Sequence, residues 1–443
     1  DTIYDANGNV ATDITFLPEP WAPFFGGPEN SSQQLGFSRF CSSVLVEKNT
    51  FGGGRGLRHT IYFTGEEDGG GFNSLGGAEW ALDVRHGDLW QVPAMGRGAW
   101  ENICPVDTGS HKKVAFILAD DSSPFDFDDD STSEAAPLFL YVGTKKGGDF
   151  LERNGLRDGK LYVWVSDTGE TLPSQFNTSG TLDGTWVEID NSPQLANASQ
   201  NGVTGYDEYG YPTQGNLWIQ AEAAGAFGFS RPEDVAFNPA DGSEVVLAST
   251  GVDTYDVDSS GNGADTFGTL YLSDTDFSDL SATLTILYDG DADATRALRS
   301  PDNLDWADDG LIYVQEDEAE EDSLTGEPLF GPGAANPNEA SIVSVDPADG
   351  SIARVAQIDR SVVIDASIAV PTDAVDVDAG AAGEWESSGI LDVSSLFGEA
   401  PGSLFIFDVQ AHGIEDQDDF NASSRINDGD LVEGGQLLFL SAP

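Results

Sequence analysis

Short apolar segments alternate with Gly- and Asp-rich turns along almost the whole chain. Ten examples with the length and composition of β-strands are residues 59–64, 88–92, 114–119, 138–142, 160–165, 268–272, 282–287, 341–345, 403–407 and 436–440. The periodicity of amphipathic helices is nearly absent. The pattern therefore predicts an all-β protein.

One two-strand pattern occurs twice in the chain. Residues 231–250 begin Arg231-Pro232-Glu233-Asp234, and residues 301–317 begin Pro301-Asp302-Asn303. Each continues with a strand, an Asp-Gly turn and a second apolar strand, which is typical of a hairpin in a β-propeller blade. The innermost strand of such a blade begins near the central channel, so an acid just after the Pro can point into it.

The spacing of the two hairpins predicts the number of blades. They start at 231 and 301, 70 residues apart, and 443 divided by 70 is about six. We predict a six-bladed β-propeller with long inserted loops at 121–134, 173–215 and 317–339, although seven blades or five with a cap also fit. No linker-like composition interrupts the chain, so residues 1–443 are predicted to form a single domain.

The charge of the chain is extremely unbalanced. It has 77 Asp and Glu against 19 Lys and Arg, a formal net charge of −58. A solvated acidic surface explains most of this excess, and coordination of calcium explains a part. No basic patch is present in the sequence, so a nucleic-acid partner is not expected.

Export is expected from the ends and the hydropathy of the chain. It begins at Asp1 rather than Met, as a mature chain does after signal removal, and no run of 18 apolar residues predicts a membrane-spanning helix. We expect a secreted, periplasmic or cell-surface protein. The two cysteines, Cys41 and Cys104, form a disulfide under one interpretation, and under the other one of them is a thiolate metal ligand.

Acidic residues follow several of the apolar strands. Such carboxylates next to hydrophobic strands must be paired or metal-bound, and the chain has few cations to pair them. Among these acids are Glu66-Glu67, Asp120-Asp121, Glu316-Asp317, Glu384, Glu386 and Asp408. Arg231 adds a guanidinium suited to bidentate capture of a phosphate or carboxylate, or to a salt bridge with a neighbouring acid.

Other catalytic templates are absent from the sequence. It has no Gly-x-Ser-x-Gly motif and no phosphate-binding Gly-rich loop before a helix, and its four His are scattered. Nucleophilic Ser-His chemistry and nucleotide binding are therefore disfavoured.

The chain resembles the PhoX-type alkaline phosphatases over nearly its whole length. The resemblance is carried by an ordered set of segments: Tyr62-Phe63-Thr64-Gly65-Glu66-Glu67, Trp100-Glu101-Asn102, Ala119-Asp120-Asp121, Gly155-Leu156-Arg157-Asp158-Gly159, Phe229-Ser230-Arg231-Pro232-Glu233-Asp234, Ser300-Pro301-Asp302-Asn303, Glu386-Ser387-Ser388-Gly389, Asp408-Val409-Gln410-Ala411-His412 and Glu433-Gly434-Gly435-Gln436. Each segment alone is weakly diagnostic, whereas the ordered set is characteristic of the superfamily.

The resemblance implies an exported six-bladed propeller that hydrolyses phosphate monoesters with calcium and an iron pair. It implies that Cys41 is an iron ligand, that Arg231 contacts phosphate, and that Glu233 takes part in catalysis and metal ligation. The full set of metal ligands predicted on this basis is Cys41, Glu66, Glu67, Glu101, Asp120, Glu233, Asp302, Glu316 and Asp408.

Two other classes of function remain compatible with the sequence. A propeller lactonase or esterase would need one calcium in a central ring of acidic and amide side chains, without a thiolate. A non-catalytic exoprotein would use calcium only to hold its loops. The identity of the bound metals distinguishes the three, and the oligomeric state is not predicted.

Overall fold

Strands form most of the structure, a computed structural model that describes residues 2–4, 9–10, 37, 39–69, 75–128, 132–199, 205–259, 261–317, 326, 328–361, 374–376, 382–412, 414–416 and 434–442. The described chain divides into two compact units. The first contains residues 1–176, 180–247 and 271–285, and the second contains residues 177–179, 248–270 and 286–443. The predicted single domain over 1–443 stays a prediction.

The first unit is built from two large sheets. The strands lying mainly in this unit are β1 (Ile3–Tyr4), β2 (Ser43–Val46), β3 (Ile61–Gly65), β4 (Gly77–Asp83), β5 (Asp88–Gln91), β6 (Arg97–Gly98), β7 (Trp100–Val106), β8 (Lys113–Asp120), β9 (Ala136–Pro137), β10 (Phe139–Thr144), β11 (Lys160–Ser166), β12 (Gly180–Ile189), β13 (Gly228–Phe229), β14 (Pro232–Asn238), β15 (Asp241–Ser249), β16 (Thr269–Asp276) and β17 (Ser281–Asp289). One sheet has the order β1-β5-β4-β3-β2 with β6 on β4, another has β14-β15-β16-β17-β12-β11-β10-β8-β7, and β13 pairs with β9.

The helices of the first unit are short. They are α1 (Phe150–Asn154), α2 (Gln214–Ala224) and 3-10 turns at Pro93–Met95, Pro173–Gln175 and Leu195–Asn197. Helix α2 begins at Thr213, whose side chain accepts the Asn216 N–H, and ends at Gly225 in the left-handed conformation. The core around these elements contains Trp100, Phe116, Phe139, Leu161 and Trp218, and full burial of each such side chain contributes about 1.5–3 kcal/mol.

The second unit contains smaller antiparallel sheets. Its strands are β18 (Pro301–Trp306), β19 (Ile312–Glu316), β20 (Ser341–Val345), β21 (Ile352–Gln357), β22 (Ala374–Asp376), β23 (Glu386–Asp392), β24 (Leu404–Ala411), β25 (Ile414–Asp416) and β26 (Gly434–Ser441), with a short helix α3 (Ser394–Phe397). The order β18-β19-β20-β21 is a four-stranded meander of the propeller-blade type, and the other sheets of this unit are β23-β24-β26 and β22-β25. Tyr313 and Phe405 pack in its core with ring centroids 4.2 Å apart and ring planes tilted by 44°.

The sequence pattern predicted many of the strands but not β12 or helix α2. All ten predicted segments contain a strand, and the repeated pattern forms the neighbouring strands β14-β15 and β18-β19. The predicted irregular insert at 173–215 was wrong in its middle, because β12 occupies Gly180–Ile189 there. Helix α2 was not predicted. Among the described residues, no helix is both long and apolar enough to span a membrane.

Candidate metal and phosphate site

A thiol and two carboxylates converge in the first unit, and we call these residues the thiol–carboxylate cluster: Cys41, Glu67 and Glu101. One ligand atom from each, the Cys41 Sγ and a carboxylate oxygen of each Glu, lies within 4.8 Å of the other two. Glu67 and Glu101 are buried, whereas Cys41 as a whole residue is exposed. The donors therefore converge at an accessible position.

Backbone hydrogen bonds hold Cys41 and Glu67 together. The Arg39 carbonyl accepts the N–H groups of both Cys41 and Glu67, at 3.1 and 3.0 Å. The Arg39 guanidinium also reaches the Glu67 carboxylate at 3.0 Å. Arg39 has φ 46°, in the left-handed region that non-Gly residues seldom adopt. One residue thus fixes the backbone positions of two candidate ligands.

A β-bulge brings Glu101 to the cluster. Strands β7 and β8 pair with a register shift between Trp100 and Ile103, so Glu101 lies in the irregular step. Bulges of this kind re-aim a side chain that would otherwise follow the strand alternation. The Trp100 N–H donates to the Glu66 carbonyl at 3.1 Å, which places Glu101 beside the end of β3.

Arg231 is held between two acids next to this cluster. Its Nε and Nη2 donate to the two oxygens of Asp121 at 2.9 and 3.2 Å, and Nη2 lies 2.6 Å from Glu233 Oε1. The side chain of Arg231 is 28% exposed, so the guanidinium is partly open to solvent. Its φ of 60° is also left-handed, a backbone strain of order 1–3 kcal/mol that is characteristic of functional sites.

Burial disfavours the anionic forms of the ligand groups in this cluster. Burial, with a further contribution from Asp121, raises the pKa of Glu67 to about 7. Burial raises the pKa of Glu101 well above its usual range, and nearby Glu67, Glu233 and Asp121 add to the rise. Burial next to the same carboxylates also raises the pKa of the Cys41 thiol. Such crowding of anionic ligands suits a site that binds a metal ion.

A second group of acids lies in the second unit, and we call it the carboxylate cluster: Asp302, Asp317 and Glu386. One oxygen from each lies within 4.8 Å of the others. The Asn303 amide donates to Asp302 at 2.6 Å, and the Asp317 N–H donates to the Ser300 carbonyl at 2.8 Å. All the donors are oxygens, which matches the preference of calcium.

The remaining predicted ligands lie outside these two groups. Glu66 accepts from the Ala78 N–H and the Trp80 indole at 3.1 and 3.0 Å. Glu316 pairs with Arg299, and both side chains are fully buried. Asp408 lies on an exposed position of β24, opposite Ser388 and Leu437. Their roles as ligands stay predictions.

Three adjacent acid pairs at strand ends share one arrangement. The first acid of each pair is hydrogen-bonded inside the protein, and the second faces a cluster or Arg231. The pairs are Glu66-Glu67, Asp120-Asp121 and Glu316-Asp317. Sequence analysis found all three pairs but left Asp121, Asp317 and Glu386 out of the predicted ligand set, and it gave no signal for Arg39.

Both cysteines are free thiols in the structure. Cys104 is buried in β7, where its thiol donates to the Pro105 carbonyl at 3.4 Å. The disulfide interpretation is therefore not supported, and the two thiols have different environments.

Comparison with known proteins gives a family match. The family model described as "Alkaline phosphatase PhoX" matches residues 90–359. No match was found among curated protein sequences.

A solved PhoX structure has a fold like that of this chain. PhoX from Pseudomonas fluorescens, solved with vanadate as a transition-state analogue, is 15% identical with a TM-score of 0.50, and the match covers 82% of this chain and 57% of that one. The chain thus spans just over half the length of that protein. A prolyl endopeptidase is 10% identical with a TM-score of 0.26, and the match covers 90% of this chain and 44% of that one. TolB from Acinetobacter baumannii is 10% identical with a TM-score of 0.21, and the match covers 75% of this chain and 56% of that one. The PhoX likeness supports the predicted fold class.

Proposed function

The chain belongs to the PhoX alkaline phosphatase family, as its ordered motifs predicted, and from this premise we propose that it is a metal-dependent hydrolase of phosphate monoesters. The observation that carries the proposal is the thiol–carboxylate cluster beside Arg231. A soft sulfur donor, buried carboxylates and the partly exposed guanidinium of Arg231, a residue with left-handed backbone, come together in one unit.

The donor atoms of the two clusters suit different metals. The thiol–carboxylate cluster mixes sulfur with oxygen, which suits iron better than calcium, whereas the carboxylate cluster offers oxygen alone and suits calcium. Cys41, Glu67 and Glu101 would hold iron, and Asp302, Asp317 and Glu386 would hold calcium. When bound, such cations supply Lewis-acid stabilisation of the charge on the phosphoryl oxygens.

The protein's own residues would orient the ester. The partly exposed guanidinium of Arg231 would donate N–H groups to a phosphoryl oxygen. Asp121 and Glu233 fix the plane of that guanidinium, so less rotational freedom is lost when the ester binds. In this proposal Glu233 has a dual role, as partner of Arg231 and as an additional carboxylate ligand beside Glu101.

The experiment combines elemental analysis with an assay on p-nitrophenyl phosphate at alkaline pH. We expect iron and calcium in the purified protein and metal-dependent release of phosphate. Calcium alone, with hydrolysis of lactones or carboxyl esters but not of the phosphate ester, would replace the proposal by the lactonase or esterase class. Calcium without any hydrolysis would favour the non-catalytic class.

A substitution at Arg231 tests the role of the guanidinium. Arg231→Lys keeps the charge but removes the planar guanidinium that Asp121 and Glu233 orient, so we expect kcat/KM to fall about 10²–10³-fold. Arg157→Lys is the matched control, because Arg157 forms a comparable ion pair with Asp149 at 2.7 Å in the same unit. Equal activities of the two variants would contradict the assignment of Arg231.

We also propose that the protein is exported, to the medium, the periplasm or the cell surface. A phosphatase acting on external esters would work there, and the strongly acidic composition suits an exposed environment rich in cations. Cell fractionation with an antibody against the protein tests this, and recovery in the cytoplasmic fraction would contradict it.

A further inference from the structure

The Asp120 carboxylate is surrounded by hydrogen-bond donors. It ends β8 and is fully buried. Its Oδ1 accepts from the Ala99 N–H and the Ser122 hydroxyl, both at 2.9 Å, and from the Gln214 amide at 3.0 Å. Its Oδ2 accepts from the Trp218 indole at 2.8 Å and from the same Gln214 amide at 3.3 Å.

This coordination leaves Asp120 little capacity to bind a cation. An ionised carboxylate has about four lone-pair sites, and four protein groups already make five contacts to this one. From this saturation and from the place of Asp120 among the site segments, we infer that Asp120 is a positioning residue that sets the geometry of the thiol–carboxylate cluster and Arg231, rather than a metal ligand. The inference rests on the proposed metal centre.

Asp120 joins the chain segments that carry the site. By accepting the Ala99 N–H it fixes the backbone two residues before Glu101. Ala99 also forms a β-bridge with Glu67, and its carbonyl accepts the Asp121 N–H at 2.8 Å. A displacement of Ala99 would therefore be transmitted to Glu67, Glu101 and Asp121, and through Asp121 to Arg231.

Helix α2 supplies the other side of this connection. Gln214 and Trp218 are four residues apart, so they lie on the same face of the helix, and both are buried. The Gln214 N–H donates to the Leu75 carbonyl at 2.9 Å, which attaches the start of the helix to the chain before β4. The helix that sequence analysis missed thus supports the site without contributing a ligand.

The test measures metal affinity directly, without relying on activity. Cobalt(II) is titrated into metal-free protein, and the thiolate-to-metal charge-transfer absorption reports binding at Cys41; Cys41→Ser should lack this absorption. Asp120→Asn and Trp218→Phe should each weaken cobalt binding about 10–100-fold, the usual effect of losing a partner that orients ligands. Trp218→Phe keeps a ring in the core and removes only the indole donor.

Trp186→Phe is the matched control. The Trp186 indole is also buried and donates to the Thr275 hydroxyl at 3.1 Å in the same unit, so this variant loses an equivalent hydrogen bond away from Asp120. It should bind cobalt as the unmodified protein does. If Asp120→Asn fails to fold, as judged by circular dichroism, Trp218→Phe decides the question alone.

Two results would overturn the inference. The first is a Trp218→Phe variant that binds cobalt with unchanged affinity. If Asp120→Asn nevertheless lost cobalt binding, Asp120 would itself be a metal ligand. Absence of the thiolate absorption in the unmodified protein would also overturn it. A protein that binds cobalt through Cys41 but hydrolyses no phosphate ester would contradict the proposed function alone, because the comparison of affinities would still decide the role of Asp120.

Discussion

At the scale of single residues, the two cysteines offer the sharpest contrast. Cys41 lies beside buried carboxylates, whereas Cys104 lies within β7. Cys41→Ser removes the only sulfur donor of the cluster, so we expect iron content and phosphatase activity to fall together while calcium content is retained. Elemental analysis and the phosphate assay on the same preparation measure this.

Cys104→Ser is the control for the cysteine prediction. It places a hydroxyl in a buried strand, and we expect a loss of stability of about 1–3 kcal/mol with iron content unchanged. Equal loss of iron in both variants would contradict the assignment of Cys41 as a ligand.

Glu67 makes the stability of the metal-free protein depend on pH. Its carboxyl pKa rises from the ordinary 4.5 to about 7 on folding, so the folded state binds the proton more tightly than the unfolded state. The stabilising contribution is fully present below pH 4.5 and is lost as the pH rises through about 7. We expect the melting temperature measured in chelator to decline over this window.

Glu67→Gln separates the contribution of Glu67 to the pH dependence of stability from that of the other titrating groups. The variant cannot ionise, so its melting temperature should decline less between pH 4.5 and 7 than that of the unmodified protein. Glu399→Gln, at an exposed position of the chain, should follow the unmodified protein. A Glu67→Gln curve parallel to the unmodified one would contradict the prediction.

At the scale of elements, the bulge between β7 and β8 requires a small residue at position 98, just before β7. A Cβ added at Gly98 would lie 2.7 Å from Asp120 Oδ2 and 3.1 Å from the Trp100 ring. Gly98→Ala must therefore displace a buried carboxylate or a buried indole. We expect metal affinity to fall at least tenfold, with a measurable loss of thermal stability.

Gly147→Ala is the matched control for Gly98→Ala. A Cβ at Gly147 meets no atom within 4 Å, and its φ is not in the left-handed region. Cobalt titration and melting curves of the two variants test the prediction. Similar affinities would show that the bulge tolerates displacement of Asp120.

Strand ends were predictable from the sequence, but the direction of each acid was not. Alternation of apolar residues identified the three acid pairs, since a strand must end where the apolar pattern ends. Which acid of a pair faces the cluster depends on distant donors: Arg299 binds Glu316, and α2 binds Asp120. Those contacts link residues 17 to 98 positions apart, and local patterns carry no information about them.

Helix α2 and strand β12, which were not predicted, have local explanations. Helix α2 buries Gln214 together with Leu217, Trp218 and Ala221, so a polar residue interrupts the apolar stripe by which a helix is recognised. In β12, Gly180 and Gly184 weaken the strand signal. The second glycine is required by packing, since a Cβ there would lie 2.6 Å from the Trp164 ring.

At the scale of the whole molecule, the net charge of −58 opposes both the fold and the proposed substrate. Like charges repel within the folded protein, and a phosphate ester approaching from solvent meets a negative field. At 0.15 M ionic strength the Debye length is about 8 Å, so the distant charges are screened and the site is dominated by its own cations and by Arg231. We therefore expect the KM for p-nitrophenyl phosphate to be higher at low salt than at 0.15 M ionic strength.

We expect divalent ions to stabilise the protein beyond what screening provides, because they bind carboxylates of the folded state. Ions that bind only the folded state add about 2.7 kcal/mol at a concentration of 100 Kd. Asp302, Asp317 and Glu386 each place a carboxylate oxygen within 4.8 Å of the other two, and a bound cation would offset the repulsion between these carboxylates. Chelator should lower the melting temperature at fixed ionic strength, and calcium should restore it. Asp302→Asn combined with Glu386→Gln should abolish most of the calcium response but retain the response to sodium chloride. Calcium and sodium chloride acting equally at matched ionic strength would mean that the acids serve only as a solvated surface.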